Sequence, residues 1–239
     1  MSDGTKRPHS EMLTLALAVR GLLAMACTRI AIAGSIRRGK ELVGDIEIVC
    51  QPAGNLLYRQ LDALLARGDL EQRRKSNGTL LAWGERYRAA VYQGAALDVF
   101  IVLPDRPWGV TFVLRTGPGE ANEALVTQQG VVSRHGVRGI MPRGLQMEGG
   151  VLWRDRVRVE TPEEADVFAA VGLPYIAPPQ RSAATYAAQA RAGNTDCVGG
   201  APADDLWTPD GKQYTVGGPV GKAPIPPEPV VEMRQERLL

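Results

Sequence analysis

Residues 34–47 read Gly-Ser-Ile-Arg-Arg-Gly-Lys-Glu-Leu-Val-Gly-Asp-Ile-Glu. The apolar run before them predicts a strand that ends in the Gly-Ser turn, where backbone amides, a hydroxyl and three cations come together. Such a turn suits the oxygens of a triphosphate. The chain then returns in a second predicted strand, and because side chains alternate along a strand, Asp45 and Glu47 share one face. Two carboxylates placed in this way can share divalent cations.

A third carboxylate, Asp98, interrupts the apolar run at residues 95–102. An acid inside such a strand is costly unless a metal, an ion pair or exposure at the strand end relieves it. If this strand neighbours the strand of Asp45 and Glu47, the three acids form a two-metal site for in-line displacement at phosphorus. Oxygen ligands favour Mg²⁺ or Mn²⁺ over zinc.

The wider pattern predicts an α/β (α+β) protein with a mixed sheet of four or five strands, covered by helices on one face. The predicted strands are 29–33, 45–50, 79–83, 86–92 and 96–103, and the predicted helices are 10–28, 55–66, 119–129 and a segment that ends near Gly172. We expect Thr161 to cap this last helix, with Glu164 completing a capping box. Residues 181–239 are rich in Pro and Gly, which predicts an irregular tail with few helices or strands.

Net charge limits the class of ligand. The 239 residues carry 28 Lys and Arg against 26 Asp and Glu, a net charge of +2. Tight binding to nucleic acid usually needs a more basic chain, so we expect weak, salt-sensitive contacts to DNA or a small ligand. The longest apolar stretch, 12–26, is interrupted by Arg20, and no signal peptide is evident, so we expect a cytoplasmic protein without a membrane segment. The cysteines Cys27, Cys50 and Cys197 show no zinc-ligand spacing and are expected to be inert.

The chemistry-bearing residues, taken in this order and spacing, resemble the polymerase beta-type nucleotidyltransferases, and specifically the family X DNA polymerases. The motifs that carry the resemblance are Gly34-Ser35, Arg37-Arg38-Gly39, Gly44-Asp45, Glu47, Asp98, Leu114-Arg115-Thr116-Gly117 and Gly172-Leu173-Pro174-Tyr175-Ile176. The last of these is similar to the final thumb segment of the family. The match covers about residues 10–180. It implies a nucleotidyltransferase-type palm over residues 1–115 and a small thumb-like subdomain over 116–180, followed by an extension over 181–239.

The resemblance also implies roles for single residues. Asp45, Glu47 and Asp98 would be the catalytic residues and the ligands of Mg²⁺, with Mn²⁺ as an alternative, and Asp98 would lie near the attacking 3′-hydroxyl. The implied nucleotide-binding residues are Gly34, Ser35, Arg37, Arg38, Gly44, Thr116, Gly117 and Asn122. Of these, Ser35 and Arg38 would contact the β- and γ-phosphates, and Asn122 would reach the base edge.

The sequence departs from the family in four respects. Glu47 stands where most members have Asp, which affects the choice of metal. Leu114 and Arg115 replace an aromatic pair, so discrimination between sugars does not follow from the resemblance. Ala96 stands where an arginine normally holds the third Asp, so we expect Asp98 to be less restrained. Because the chain begins at the helix before the palm, we expect neither a lyase domain nor helix-hairpin-helix clamps.

Taken together, these features predict a minimal polymerase that adds deoxynucleotides to a DNA primer 3′-OH by two-metal chemistry and releases pyrophosphate. Its expected partners are dNTP or NTP and a weakly held primer-template, and a protein partner could supply processivity. An alternative is transfer of a nucleotide to an RNA end, a protein or a small molecule. A non-catalytic binder is disfavoured because the three acids and the Gly-Ser turn occur together. The basic clusters that could contact DNA phosphates are Arg73-Arg74-Lys75, Arg134, Arg138 and Arg143, and Arg154, Arg156 and Arg158.

Overall fold

A computed structural model describes residues 6–193 and 205–215. Within them the helices are α1 (His9–Ala24), α2 (Gly34–Arg37), α3 (Leu56–Ala66), α4 (Trp108–Thr116), α5 (Gly119–Val126), α6 (Glu164–Ala170) and α7 (Ala183–Ala192). The strands are β1 (Arg7–Pro8), β2 (Cys27–Ile32), β3 (Leu42–Val43), β4 (Asp45–Pro52), β5 (Glu71–Gln72), β6 (Tyr87–Tyr92), β7 (Ala95–Ile101), β8 (Leu145–Glu148), β9 (Val151–Arg154), β10 (Val157–Val159), β11 (Asp205–Trp207) and β12 (Gln213–Thr215). A short 3-10 helix spans Pro178–Gln180.

A mixed sheet of five strands forms the centre of the fold, in the order β2-β4-β7-β6-β5. Its neighbours are antiparallel except for β4 and β7, which run parallel. In that parallel pair Asp45 lies beside Ala96, and Glu47 lies beside Asp98. The expectation of an α/β protein with a mixed sheet is confirmed, and the parallel pairing places the two acidic strands side by side.

The two faces of the sheet pack against different helices. Ile46 and Ile48 of β4 point into a core formed with α1 and α3. Val49, on the opposite face, packs with Trp108 and Phe112 of α4. The expectation of helices on one face only is therefore wrong, because α4 covers part of the face that carries the acids. Trp108 and Phe112, whose rings lie tilted with centroids 5.2 Å apart, pack against Ala31 and Val49 of the sheet and so hold α4 there.

A second hydrophobic core lies on the other side of α4. It joins α4, α5, α6 and α7 to β8 and β9, and Phe168 and Tyr186 meet edge to face within it at 5.8 Å. The strands β8, β9 and β10 form a separate antiparallel sheet. Because α4 contributes to both cores, it fixes the segment that follows the central sheet against that sheet.

Several elements differ from the sequence prediction for identifiable reasons. Residues 79–83 form only isolated bridges to Arg74 and Arg88, because β5 takes the edge position beside β6. Helix α4 was not predicted, because Gly109 and several β-branched residues give it a low intrinsic helix propensity, and packing into two cores stabilises it instead. Helix α6 begins two residues later than expected: Glu163, not Thr161, is the N-cap, and Asp166 completes the capping box.

The described part of the C-terminal extension contains regular structure. Helix α7 has ten residues, begins at the N-cap Ser182 and packs on α5. Strands β11 and β12 form a hairpin whose Leu206 enters the main core. The expectation of an irregular tail also covers 194–204 and 216–239, which lie outside the described residues, as does Cys197. Among residues 6–193 and 205–215, none of the helices combines the length and the apolar character that a membrane crossing needs.

A buried ion triad joins the central sheet to the second core. Arg37 donates to both carboxylate oxygens of Glu164, each at 2.8 Å, and Arg181 donates to the same oxygens at 2.7 and 3.0 Å. Burial alone would raise the pKa of Glu164, but the charges of Arg181 and Arg37 outweigh it and hold that pKa at about 2. Glu164 is therefore ionised at neutral pH and compensates two buried cations.

Glu164→Gln tests this triad. The substitution leaves both guanidinium groups without a counter-charge, so we expect the free energy of unfolding to fall by about 3–5 kcal/mol. The folded pKa lies below the ordinary value of 4.5, so the stabilisation is complete above about pH 4.5 and is lost as the pH falls towards 2. Urea unfolding at pH 7 and at lower pH measures both effects.

Glu160→Gln is the matched control, because Glu160 forms an exposed ion pair with Arg158. We expect it to cost less than about 1 kcal/mol. Equal costs for Glu160→Gln and Glu164→Gln would contradict the assignment of the triad as the joint between the two cores.

Candidate active site

The three carboxylates lie on one face of the central sheet. Asp45 and Glu47 alternate with Ile46 and Ile48, which point into the core of the other face. Asp98 lies beside Glu47 in the parallel strand pair. The structure therefore brings the three sequence-predicted acids together.

Burial and mutual repulsion raise the pKa values of two of the acids, Asp45 and Glu47. Burial raises the pKa of Asp45, and the neighbouring Asp98 carboxylate raises it further. Burial raises the pKa of Glu47 to about 8, and the negative charge of Asp45 adds to the rise. Three partly buried carboxylates on one face form a region in which added positive charge is stabilising.

The Gly34–Arg38 segment forms the edge of this site. It is one short helical turn, α2, rather than an open loop, and Arg38 N–H donates to the Gly34 carbonyl at 3.2 Å. Gly34 has a φ of +64°, and an added Cβ there would overlap the Glu47 carboxylate. The hydroxyl of Ser35 is buried without a hydrogen-bond partner within the described structure. Glycine at position 34 thus lets the turn lie directly against the acidic strand.

Arg38 connects the turn to the segment after α4. Its guanidinium donates to the Thr116 carbonyl, while its Nε is buried with no partner among the described residues. Burial lowers the pKa of Arg38, and the charge of Glu47 opposes that shift. An unpaired buried N–H on a cation is a donor available to an anionic ligand.

The residues predicted to lie near the sugar and base meet at the same place. Thr116 is buried, and its hydroxyl accepts from Arg37 at 2.9 Å. Asn122 donates to the carbonyls of Leu114 and Gly117 at 2.6 and 3.2 Å, so its side chain braces the turn between α4 and α5. The contacts of Thr116, Gly117 and Asn122 with a nucleotide stay predictions.

Arg37 has a different environment from that of Arg38. Its side chain is fully buried, bound to Glu164 and Thr116, and its Nε donates to the Asp205 carbonyl at 3.2 Å. The ring of Phe112 lies 3.9 Å from the guanidinium carbon. The structure therefore gives Arg37 a bracing role, and its predicted contact with a nucleotide stays a prediction. Gly44, also predicted to bind nucleotide, directly precedes Asp45, the residue that pairs with Ala96, and its contact with a nucleotide also stays a prediction.

Because Ala96 stands where an arginine normally holds the third Asp, we expected Asp98 to be less restrained. That expectation is wrong, since two other side chains hold Asp98. Arg73 Nη2 donates to Asp98 Oδ1 at 2.7 Å, and the Tyr87 hydroxyl donates to the same oxygen at 2.6 Å. The sequence placed Arg73 in a basic cluster for DNA phosphates, and Tyr87 carried no functional signal at all. Because Arg73 lies 25 residues before Asp98 in the chain, only the strand pairing reveals the contact.

A groove of about 630 Å³ opens beside the turn. Its lining includes Arg38 and Lys40, the α7 N-cap Ser182, Thr185 and Gln189 of α7, and one carboxylate, Glu120. Sequence reasoning missed the contribution of α7 because that helix lies beyond the segment that resembles the polymerases. The groove supplies donors of the kind that bind phosphate oxygens.

The donor set has the chemistry that Mg²⁺ prefers, since all three side chains are carboxylates and two have pKa values raised by burial and mutual repulsion. Within residues 6–193 and 205–215, no three side chains of His, Cys, Asp or Glu are close enough together to hold a metal ion. Asp98 is turned towards Arg73 and Tyr87. The residues fit a divalent cation in kind, and Mg²⁺ stays a proposal.

Gly34→Ala tests the close approach of the turn to the acids. The left-handed φ costs about 1–2 kcal/mol for any L-residue, and the clash with Glu47 adds at least about 1 kcal/mol. Gly54→Ala is the control, because Gly54 has a φ of +60° but open space around it. Thermal or urea unfolding of both variants gives the difference, and equal losses would show that Glu47 does not pack on Gly34.

Comparison with known proteins gives a distant relationship. No protein-family model matches the chain. The chain is 31% identical over 182 residues to DNA polymerase lambda of Rattus norvegicus, which is a family X polymerase. The aligned part covers 67% of this chain and 29% of that protein, so the chain spans less than a third of the length of its relative. The chain is thus distantly similar to a polymerase of family X, and the similarity supports a polymerase-like nucleotidyltransferase at that coarse level.

Proposed function

We propose that this protein is a metal-dependent nucleotidyltransferase that adds deoxynucleotides to the 3′-OH of a DNA primer. The observation that carries the proposal is the convergence of Asp45, Glu47 and Asp98 beside the Gly34–Arg38 turn. Carboxylates on one side and unpaired cationic and hydroxyl donors on the other are what in-line transfer of a nucleotide needs. The distant similarity to DNA polymerase lambda supports the same reaction class.

The nucleotide's phosphates would be bound by this chain's own donors. Arg38 offers its buried Nε, and Ser35 offers its buried hydroxyl, and both are without partners within the described residues. Arg37, anchored on Glu164, would hold the turn in place rather than move with the ligand. Binding of a triphosphate would relieve the desolvation cost that these donors now carry.

Transfer would proceed by attack of the primer 3′-oxygen on the α-phosphorus. The bond from that phosphorus to the bridging oxygen of pyrophosphate breaks, pyrophosphate leaves, and the hydroxyl proton passes to Asp98. Asp45, Glu47 and Asp98 are the residues that would hold Mg²⁺ or Mn²⁺, which supplies positive charge to the attacking and leaving oxygens when bound. Asp98 remains fixed during this step by Arg73 and Tyr87.

Grip on DNA is expected to be weak. The chain has a net charge of +2, so few phosphates can be neutralised by excess cations. We therefore propose distributive synthesis whose rate falls steeply with salt, with a protein partner as the source of any processivity. Cytoplasmic location also stays a proposal.

Asp98→Asn and Asp45→Asn test the acidic site. Both should reduce primer extension to background, because each removes a charge needed at the reacting phosphate. Asp45→Asn also relieves repulsion from Asp98, so it should fold at least as stably as the wild type. Asp105→Asn, at an exposed acid away from the site, is the control and should keep full activity.

The substrate is tested with labelled dNTPs or NTPs, Mg²⁺ or Mn²⁺, and gapped, primed or single-stranded DNA. Extension that requires a templated primer supports the proposal. Label on an RNA end, on a protein or on a small acceptor would instead establish the alternative transferase. Extension by Asp98→Asn at the wild-type rate would falsify the role of the acids in either reaction.

Arg38→Ala tests the phosphate contact. A charge-assisted hydrogen bond contributes about 1.5–3 kcal/mol, so we expect dNTP affinity to fall roughly 10- to 100-fold. Calorimetric titration of dNTP measures it, with Arg59→Ala as the control because Arg59 is an exposed residue of α3. Unchanged affinity in Arg38→Ala would remove Arg38 from the phosphate site.

A further inference from the structure

We infer that Arg73 is the positioning residue of Asp98, acting from a neighbouring strand segment where the chain has Ala96 in place of an arginine on the strand of Asp98 itself. The inference rests on the proposed function, because it assigns Arg73 a part in orienting a carboxylate of that site. It is carried by the contacts around Asp98 and by the way in which each of them is anchored.

The contacts to Asp98 are unequal. Oδ1 accepts from Arg73 Nη2 at 2.7 Å and from the Tyr87 hydroxyl at 2.6 Å, whereas Oδ2 has only a long contact of 3.4 Å with Arg73 Nη1. A carboxylate oxygen has two lone pairs, so Oδ1 is saturated and Oδ2 keeps its acceptor capacity. Arg73 and Tyr87 thus fix the orientation of the carboxylate by one oxygen and leave the other for the reaction.

Both partners of Asp98 are themselves held. The backbone N–H of Arg73 donates to the Ala89 carbonyl at 3.1 Å, and the Arg73 carbonyl accepts from Leu81 at 2.8 Å. Ala89 is the cross-strand neighbour of Asp98, so this backbone bond places Arg73 next to the acid. Arg73 Nη2 also donates to the Tyr87 hydroxyl at 3.2 Å, which closes a three-membered network.

Tyr87 is fixed by its ring. It stacks on the ring of Phe100 with centroids 5.2 Å apart. The guanidinium carbon of Arg115 in turn lies 3.9 Å from the Phe100 centroid. These ring contacts hold the Tyr87 hydroxyl beside Asp98 Oδ1, to which it donates at 2.6 Å.

The neighbourhood of Ala96 allows a direct test. Ala96 shares a sheet face with Asp98, lies two residues away on β7, and is only half-buried. An arginine placed at 96 therefore extends from the same face as Asp98. If the function of Arg73 is to orient Asp98, an arginine at 96 can replace it, whereas a purely local structural role of Arg73 cannot be replaced from β7.

The experiment compares the wild type, Arg73→Ala, Arg73→Lys and the double variant Arg73→Ala with Ala96→Arg. We expect Arg73→Ala to lower kcat about 10- to 100-fold, as the loss of a partner that orients a ligand does. Arg73→Lys keeps the charge but cannot contact Asp98 and Tyr87 with one planar group, so it should recover only part of the rate. The double variant should recover most of it. Arg67→Ala, at an exposed arginine paired with Asp69, should leave kcat unchanged.

A second readout separates positioning from folding. Titration with Mn²⁺ alone should show that Arg73→Ala binds the ion at least as tightly as the wild type, because a positive charge near the acids has been removed. Unaltered kcat in Arg73→Ala would overturn the inference, and so would a loss of Mn²⁺ binding and of urea stability that Ala96→Arg does not restore. If the wild type transfers no nucleotide, the proposed function and the inference fail together. If Asp98→Asn is inactive while Arg73→Ala is not, only the inference fails.

Discussion

The carboxylate of Glu164, buried between the guanidinium groups of Arg37 and Arg181, is the interaction on which the site depends. Arg37 belongs to the turn beside the acidic strands. Arg181 lies directly before α7, a helix of the second core. Without this shared counter-charge, two buried cations would repel each other and the turn would lose its support. The Asp205 carbonyl, which accepts from Arg37, adds the C-terminal hairpin to the same joint. The position of Arg38 and Ser35 relative to the carboxylates is therefore determined by the anchoring of the neighbouring Arg37, through groups that need not touch a ligand.

The triad has two cations and one carboxylate, whereas the neighbouring candidate active site has three carboxylates on one face of the sheet. Asp45 and Glu47 carry pKa values raised by burial and by neighbouring carboxylates, so their ionised forms are disfavoured in the free protein and added positive charge there is stabilising. Arginines surround the acids: Arg38 and Arg115 oppose the shift of Glu47, and Arg73 pairs with Asp98. A site organised in this way is prepared for cations and for a polyanion together, which is the combination that nucleotidyl transfer requires. The proposed transfer therefore does not require a strongly basic chain, because the positive charge is concentrated at the site.

The sequence predicted the acidic strands and the Gly-Ser turn well, because the two-residue period of a strand and the glycine turn are local properties. It could not show Arg73 beside Asp98, since that contact depends on which segment takes the sheet edge next to β6. Helix α4 was missed because its glycine and β-branched residues have low helix propensity and only its packing into two cores stabilises it, and α7 was missed because its alanine-rich sequence has little apolar contrast between faces. Arg37 and Arg38, adjacent in sequence, acquire different environments because Arg37 is bound by the buried Glu164 and by residues distant in the chain. Local pattern thus located the site, and long-range packing assigned the parts within it.

The most direct test of the account is the position of Mn²⁺ in crystals grown with a non-hydrolysable dNTP analogue, located from its anomalous scattering. The account predicts Mn²⁺ bound by oxygens of Asp45, Glu47 and Asp98, with the phosphates of the analogue on Ser35 and Arg38. Mn²⁺ bound away from these carboxylates, or an analogue bound away from the Gly34–Arg38 turn, would contradict it.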